Sequence, residues 1–540
     1  MDFSAVFDGF MVALDPLNLL YVFIGVVVGM IVGILPGLGP APTIALMLPL
    51  TYVIPTESAI VMLAGIYYGA YYGGTITSVL LRLPGEAASV VTVYDGHQMA
   101  LRGRAGPALG ISAIGSFAGG VVATFGLIFL SPIVAAFAVK LGPPEYTLFA
   151  LVGLLMVATL GESNRLKNLI VVCFGLLVAT VGIDAVTGVA RFTGGNPELL
   201  RGIDFVAVAM GLYGIGDVLY DLEQKATGAK IKGKIGRVLP TKKDLKDSSG
   251  AIARGSVIGF FLGLLPGGGG VVSSLASYAT EKKLSKHPEE FGKGAIAGVA
   301  GPETANNAGS TSSFLPLLSL GIPSNVVLAL IYGALLIQGV TPGPSLVNEH
   351  PGVFWGVLAS MLVGNLMLLV LSMPLVGVFV NLVKVRIGIL SSVILIVTMV
   401  GVYSVSNSTF DMWTMLVFGI IGYLMRKAGF DPGPMALAIV LGPTLETSFR
   451  QSMLMSQGSA TIFVDRPVSL ILVIVLALIV LLPLLLRLRK NNSGVLTGQG
   501  LDPNSTAADL AEAQEVTTQN PAAATAEGAK DTPQKSDTSR

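Results

Sequence analysis

A glycine ladder, written twice, limits what this chain can fold into more than any other feature. Gly25, Gly29, Gly33 and Gly37 stand four residues apart around Leu35-Pro36-Gly37, and Gly255, Gly259, Gly263 and Gly267 repeat the pattern around Leu265-Pro266-Gly267. Every rung is displaced by 230 residues, eight of the fifteen positions from 25 to 39 are identical to their counterparts from 255 to 269, and Thr43 falls opposite Ser273. This is the mark of a duplicated unit. A four-residue period sets the glycines on one helical face, where a second backbone can come close.

The solvent that surrounds the ladder follows from composition. The chain is 52% hydrophobic and 12% charged, where soluble domains carry roughly a quarter charged residues, and its mean hydropathy is +0.76. Apolar runs near 17 to 35, 57 to 81, 106 to 138, 145 to 160, 168 to 188, 204 to 219, 352 to 383, 388 to 403, 412 to 425 and 468 to 486 read as long enough to span about 30 Å of hydrocarbon. Backbone groups cannot go unpaired in lipid, and no alternating strands of barrel type occur, so the spans are expected to be helices. The predicted fold is an all-α, polytopic helical membrane protein with two inverted-topology repeats and broken or re-entrant helices. A net charge of +1 without basic runs interleaved with aromatics argues against nucleic acid. Cys173 stands alone, which leaves no disulfide framework, and it reads as a small core residue. Asp2, Asp8 and Asp15, without Lys or Arg, are the wrong charges for a cleaved signal, so the first helix is expected to stay.

Lys and Arg collect on cytoplasmic loops. Lys225, Lys230, Lys232, Lys234, Arg237, Lys242, Lys243, Lys246 and Arg254 mark the longest polar loop as cytoplasmic, and Arg82, Arg102 and Arg104 mark another. Arg165 with Lys167, Lys384 with Arg386, Arg426 with Lys427, and Arg487 with Arg489 and Lys490 extend the set. The stretch Gly339 to Pro351 has neither residue and reads as outside, opposite to its counterpart after the first repeat. That sidedness implies inversion, with the N-terminus outside and the C-terminal tail in the cytoplasm.

Inverted repeats with interrupted helices are the usual build of secondary transporters, which bind substrate near the midplane between the two halves. Pro36 and Pro266 each remove a backbone donor, and the glycines beside them permit bends. The half-helices that restart after Gly39 and Gly269 would aim N–H groups and positive dipole ends inward, suited to a carboxylate. Unwound carbonyls and nearby hydroxyls could take sodium. A second interrupted segment follows each ladder. Gly73, Gly74, Thr75, Thr77 and Ser78 lead to Leu83-Pro84-Gly85 and Ser89, while Asn306, Asn307, Ser310, Thr311, Ser312 and Ser313 lead to Gly321-Ile322-Pro323-Ser324-Asn325.

These residues carry a resemblance. GILPGLGP (33 to 40), YYGGTITSVLLRLPGEAASVVTVYDGHQMALRGRAG (71 to 106), GLLPGGGG (263 to 270), GPETANNA (301 to 308) and PLLSLGIP (316 to 323) are similar to the large membrane subunit of tripartite tricarboxylate transporters, the TctA-like family. The resemblance covers about residues 15 to 490. It implies a bacterial inner-membrane permease with its N-terminus periplasmic, ion-driven for tricarboxylates or related carboxylates, with sodium as coupling ion, that works with a small membrane subunit and a periplasmic solute-binding protein. Ser324 departs from the family, where glycine more often follows the proline.

Candidate substrate-binding residues are Gly37, Gly39, Thr43, Gly74, Thr75, Thr77, Ser78, Gly85, Gly267, Gly269, Ser273, Asn306, Asn307, Ser310 and Ser324. Candidate ion-binding residues are Pro36, Pro266, Glu303, Thr311 and Ser312. Two bland readings stand beside these. The outer rungs Gly25, Gly29, Gly255 and Gly259 can be helix-packing positions alone, and hydroxyls within helices often bond back to their own backbone. Glu303, costly inside an apolar stretch, reads as a cation ligand or as a brace for a broken helix. Asp184, Asp217 and Glu446 read as interfacial, near helix ends. An enzyme is disfavoured: His97, His287 and His350, the only histidines, fall in polar loops at no metal-ligand spacing, and neither a P-loop nor a G-x-S-x-G elbow occurs. A channel and an intramembrane enzyme remain the competing classes.

The expected organisation is an N-terminal segment (1–14), repeat 1 (15–138), connecting scaffold helices and a cytoplasmic loop (139–250), repeat 2 (251–385), C-terminal helices (386–490) and a disordered cytoplasmic tail (491–540). The tail is rich in Ala, Thr, Gln, Asn and Ser, too poor in hydrophobes to fold.

Overall fold

The computed structural model describes residues 3–35, 39–82, 84–160, 164–184, 186–223, 237–265, 267, 269–374 and 387–492. Pro36, Gly37 and Pro266, the lysines from 225 to 234, Lys384 with Arg386, and the tail beyond 492 lie outside the described residues. Met1–Ile479 forms one body, and Val480–Arg540 is a separate unit.

The longer helices are α1 (Phe3–Leu14), α2 (Pro16–Ile34), α3 (Pro40–Thr51), α4 (Thr56–Leu81), α5 (Ala105–Ala138), α6 (Pro143–Leu160), α7 (Arg165–Ala179) and α8 (Phe205–Glu223), the last with a π-helical middle. They continue with α9 (Lys242–Gly263), α10 (Gly269–Leu284), α11 (Ala297–Ser312), α12 (Phe314–Leu320), α13 (Val326–Ile337), α14 (Pro351–Ser372), α15 (Ile387–Ser406), α16 (Thr409–Lys427), α17 (Gly433–Met455) and α18 (Pro467–Asn492). Short helical turns fill 87–101. Among the described residues the one sheet is a two-residue hairpin in which Gly182–Ile183 pairs antiparallel with Ala190–Arg191.

Four described helices, α2, α5, α8 and α14, are long and apolar enough to cross a membrane. The run expected from 168 to 188 does not form one span. α7 stops at Ala179, capped by Thr180, and the chain passes through Gly182, at φ 122°, into the hairpin. Cys173 is a second correction: Asn168, Val171, Val172, Gly175 and Val178 define the inner face of α7, and Cys173 lies on the exposed side. His97 is a third, since it sits in a π-helical turn and its Nδ1 lies 3.0 Å from the Val79 carbonyl.

Both ladders pack in the same way. A methyl group added at Gly25, Gly29 or Gly33 on α2 would strike the carbonyl oxygens of Met62, Ile66 and Ala70 on α4. On α9, Gly255, Gly259 and Gly263 meet the carbonyls of Gly301, Ala305 and Gly309 on α11 in turn. The partner stands 37 residues further on in the first copy and 46 in the second, so α11 matches α4 at an offset of 239. That offset also pairs Arg82 with Gly321. Both residues adopt the left-handed conformation, φ 60° and 71°, and both end their helix. A glycine does this freely, whereas an arginine costs roughly 1–2 kcal/mol.

Each ladder helix then breaks. α2 gives way to α3 at Gly39 (φ 24°) and α9 to α10 at Gly269 (φ 29°). The half-helices cross over: α3 lies against α13 of the second copy, and α10 against the turn Ala87–Ser89 of the first. A large apolar core runs through α2, α4, α8 and α14, with a smaller cluster between α6, α7 and α17.

Charges at helix ends are paired. Arg104 meets Asp244 at 2.5 Å, and Arg426 meets Asp217 at 2.8 Å. At the other end of α7, Arg450 bonds Asp184 at 2.8 Å and Arg191 bonds Glu446 at 2.5 Å. Arg201 reaches Asp411 at 2.8 Å, and Arg466 reaches Glu145 at 2.8 Å. The expected interfacial acids Asp184, Asp217 and Glu446 are thus all ion-paired. Asp184 is held down at about 2 by the Thr187 and Val186 N–H groups, then by Arg450.

Candidate functional site

Of the predicted polar residues, Thr75, Glu303 and Asn306 make contacts between the two copies, and two contacts across that boundary are reciprocal. The Asn325 Nδ2 donates to the Tyr67 hydroxyl at 3.0 Å, and the Asn306 Nδ2 donates to Glu86 Oε1 at 3.3 Å. At the 239 offset Tyr67 corresponds to Asn306 and Glu86 to Asn325. One contact is therefore the other with the copies exchanged, the pattern produced by a two-fold relation.

Asn306 stands at the centre of the larger group. It is fully buried, and its Oδ1 is a buried oxygen without a hydrogen-bond partner. That oxygen lies over Gly270 in the first turn of α10, beside Ala88 and Tyr71. Glu86 caps the next turn, its Oε2 accepting from the Ala88 N–H at 2.9 Å, and its Cγ rests on Gly74. Gly85 is wedged against the Gly33 carbonyl and Thr77, a close approach that leaves no room for a side chain. A side chain at Gly39 or Gly269 would meet no atom within 4 Å, so there is open room beside both restarts. The restarts differ in donors. α3 opens on Pro40-Ala41-Pro42 and lacks two N–H groups, while α10 opens on Gly269-Gly270-Val271-Val272 and keeps them.

Glu303 is braced. The hydroxyls of Thr75, at 2.6 Å, and Thr92 donate to its two carboxylate oxygens, and Ser112 adds a third bond. The Asn307 Nδ2 donates to its backbone carbonyl at 3.3 Å. Most predicted hydroxyls turn to their own backbone. Thr43 donates to the Gly39 carbonyl at 3.1 Å and Ser273 to that of Gly269 at 2.7 Å, the same bond in each copy. Thr77 and Ser78 donate to Gly74, Ser310 to Asn307, Ser312 to Gly309, and Ser324 to Ser313. Thr311 is buried on α11. The Gly267 N–H donates to the Ser324 carbonyl at 2.7 Å and joins the ladder end to the second break.

Three residues that were not among the candidate site residues belong to this region: Glu86, Tyr67 and Asp95. Asp95 is fully buried; its Oδ1 accepts from the N–H groups of Gly292, Gly294 and Ala295 at 2.7 to 2.9 Å, and its Oδ2 from the Tyr278 hydroxyl at 3.0 Å. The available signal was an acid within an otherwise apolar, glycine-containing stretch. A cavity of about 570 Å³ between α1, the end of α5 and the start of α14 contains none of the predicted residues.

A family model described as "Tripartite tricarboxylate transporter TctA family" matches residues 19–437. A relative from Agrobacterium vitis, "Uncharacterized 52.8 kDa protein in TAR-I ttuC' 3'region", is 45% identical over 90% of this chain and 97% of its own length. A second, "Uncharacterized protein in TAR-II ttuC' 3'region" of the same organism, is 47% identical over 44% of this chain and 98% of its own. No solved structure matches.

Proposed function

Because this chain belongs to the tripartite tricarboxylate transporter TctA family, we propose that it is the large permease subunit of a binding-protein-dependent secondary transporter that imports tricarboxylates or related carboxylates with sodium. Family and helices together give a multi-pass membrane transporter subunit. The inner membrane, the sidedness of the termini, and the small membrane subunit and periplasmic binding protein as partners complete the proposal.

The observation that carries it is the exchange of contacts, Tyr67 with Asn325 and Asn306 with Glu86. Two copies that meet through equivalent residues can rock about the shared contact and present one site to either side in turn. Loop charge supports inverted repeats over 15–138 and 251–385: α9 starts at the positively charged loop around Arg237 to Lys246, paired to the Arg104 loop, and the loop after α13 has no positive charge.

In this reading the carboxylate is held by the first turn of α10 with Gly267, Gly269, Ser273, Asn306, Asn307 and Ser310. From the other copy come Gly37, Gly39, Thr43, Gly74, Thr75, Thr77, Ser78 and Gly85, with Ser324 at the tip. The sodium-binding set is Pro36, Pro266, Glu303, Thr311 and Ser312.

Counterflow of labelled citrate in proteoliposomes that contain all three components tests the proposal. Exchange of internal for external citrate is expected. Ion conductance without counterflow would leave the channel reading in its place.

A further inference from the structure

Two further contacts tie the copies together, and they too are exchanged. At the 239 offset α13 matches the turns from 87 to 98, and each of these segments ends near a side chain that grips a loop of the other copy. Gln338, at the C-cap of α13, donates its Nε2 to the carbonyls of Thr51 and Ile54, the latter at 3.2 Å. Its Oε1 accepts from the Thr56 hydroxyl at 3.0 Å, so it holds the whole turn from α3 to α4. Asp95, in the turn 93–97, accepts from the N–H groups of Gly292, Gly294 and Ala295 in the loop from α10 to α11, and from the Tyr278 hydroxyl on α10. The end of α10 and that loop carry Lys282, Lys283, Lys286 and Lys293, whereas 52–55 carries no Lys or Arg. By loop charge the Asp95 contact therefore faces the cytoplasm and the Gln338 contact the outside.

We propose that Gln338 and Asp95 are positioning residues that latch two gates, Gln338 the outer and Asp95 the inner, and that release of one opens the contact between the copies to that side alone. The proposal rests on the transport reading above. Each latch ties the far end of a half-helix that restarts at a break, α3 or α10, to the segment of the other copy against which that half-helix lies. While the latch holds, the half-helix cannot swing away from the site. Both latches are fastened in this structure, which makes it the closed state between the two open ones. Their chemistry differs. Gln338 is half-buried and makes neutral hydrogen bonds, whereas Asp95 is fully buried and gathers four donors on one carboxylate. Hydrogen bonds to a charged group are the stronger kind. The outer gate is therefore the easier to open, the bias an importer needs before its substrate arrives.

The test is alkylation of two buried reporters in the full-length chain, each in a Cys173→Ser background. One is Ala88→Cys, beside the first turn of α10, and the other is Val327→Cys, its counterpart at the start of α13. A membrane-impermeant thiol reagent is applied to right-side-out and to inside-out vesicles, without substrate or binding protein. Gln338→Ala is expected to raise the rate at Val327→Cys from the outside about tenfold, the weight of one or two neutral hydrogen bonds, and to leave the inside rates unchanged. Asp95→Asn is expected to raise the rate at Ala88→Cys from the inside by at least as much and to leave the outside rates unchanged. Thr56→Val and Tyr278→Phe each remove one bond and keep the latch residue, so smaller rises on the same sides are expected; they decide the matter if Asp95→Asn does not fold. Rates that rise together on both faces, as a merely structural role would give, overturn the proposal, and so do rates that do not change. Because neither substrate nor partner is present, that result is distinct from failure of the transport reading, which rests on counterflow.

Discussion

Copy one and copy two of the duplicated unit share their backbone plan and differ in their charges. The ladders meet the same kind of carbonyl rung by rung, both breaks restart at a left-handed glycine, and Thr43 and Ser273 make the same bond to it. Acids do not repeat. Glu86 stands opposite Asn325, Glu303 opposite Ala64, and Asp95 opposite Ala334. Packing symmetry is what lets two halves fit; chemical asymmetry decides where an ion or an anion can rest. The pair therefore separates scaffold from site without any knowledge of the substrate.

The strongest attack on the symmetric part is Gly29→Leu or Gly259→Leu. Each forces a side chain into the backbone of the partner helix and should cost about 3 kcal/mol or more, read as loss of the monodisperse peak after extraction; a clear difference between the two variants would break the equivalence of the copies. On the asymmetric part, Asn306→Ala should lower uptake about a hundredfold, roughly 2.7 kcal/mol, while membrane insertion persists. Uptake at wild-type rates would remove this contact from the site. Asp95→Asn discards the charge that three backbone N–H groups address and should destabilise the folded chain by about 2 kcal/mol, visible as a lower melting temperature. Tyr67→Phe, at the uncharged contact, removes one neutral hydrogen bond worth about 1 kcal/mol, so uptake should fall no more than about fivefold. A fall as deep as that of Asn306→Ala would erase the distinction between the contacts.

The smallest effect belongs to a control outside both copies. Asp184 has its folded pKa lowered to about 2, so its contribution to stability is present above its ordinary value near 4 and is lost as pH falls toward 2. Thermal unfolding of Asp184→Asn should differ slightly from wild type at pH 7 and converge with it as pH falls below 4. A gap that widens with acid would contradict the sign.

The sequence disclosed the duplication because glycine is the one residue that a backbone-to-backbone approach requires, and a four-residue period is visible without knowing the partner. It disclosed the break positions for the same reason, since proline and glycine cluster in the sequence just past Ile34 and Gly263, where α2 and α9 end. It could not disclose which hydroxyls face a ligand. Thr77, Ser78, Ser310 and Ser312 look alike in a string of letters, and only their rotamers show that they bond to their own helix. Glu86 follows a Pro-Gly turn, where an acid is ordinarily a cap; it is a cap, and it also reaches the other copy. The run from 168 to 188 reads as one span because its letters do not mark the stop at Ala179.

The interlocked glycines also have a mechanical meaning. Two helices joined at carbonyl contact over three rungs resist small slips, since a shift of less than a full four-residue rung would drive side chains into backbone; α2 with α4, and α9 with α11, are each locked in this way. The left-handed positions Gly39, Arg82, Gly269 and Gly321 all lie beyond these locked stretches, where the helices end or restart.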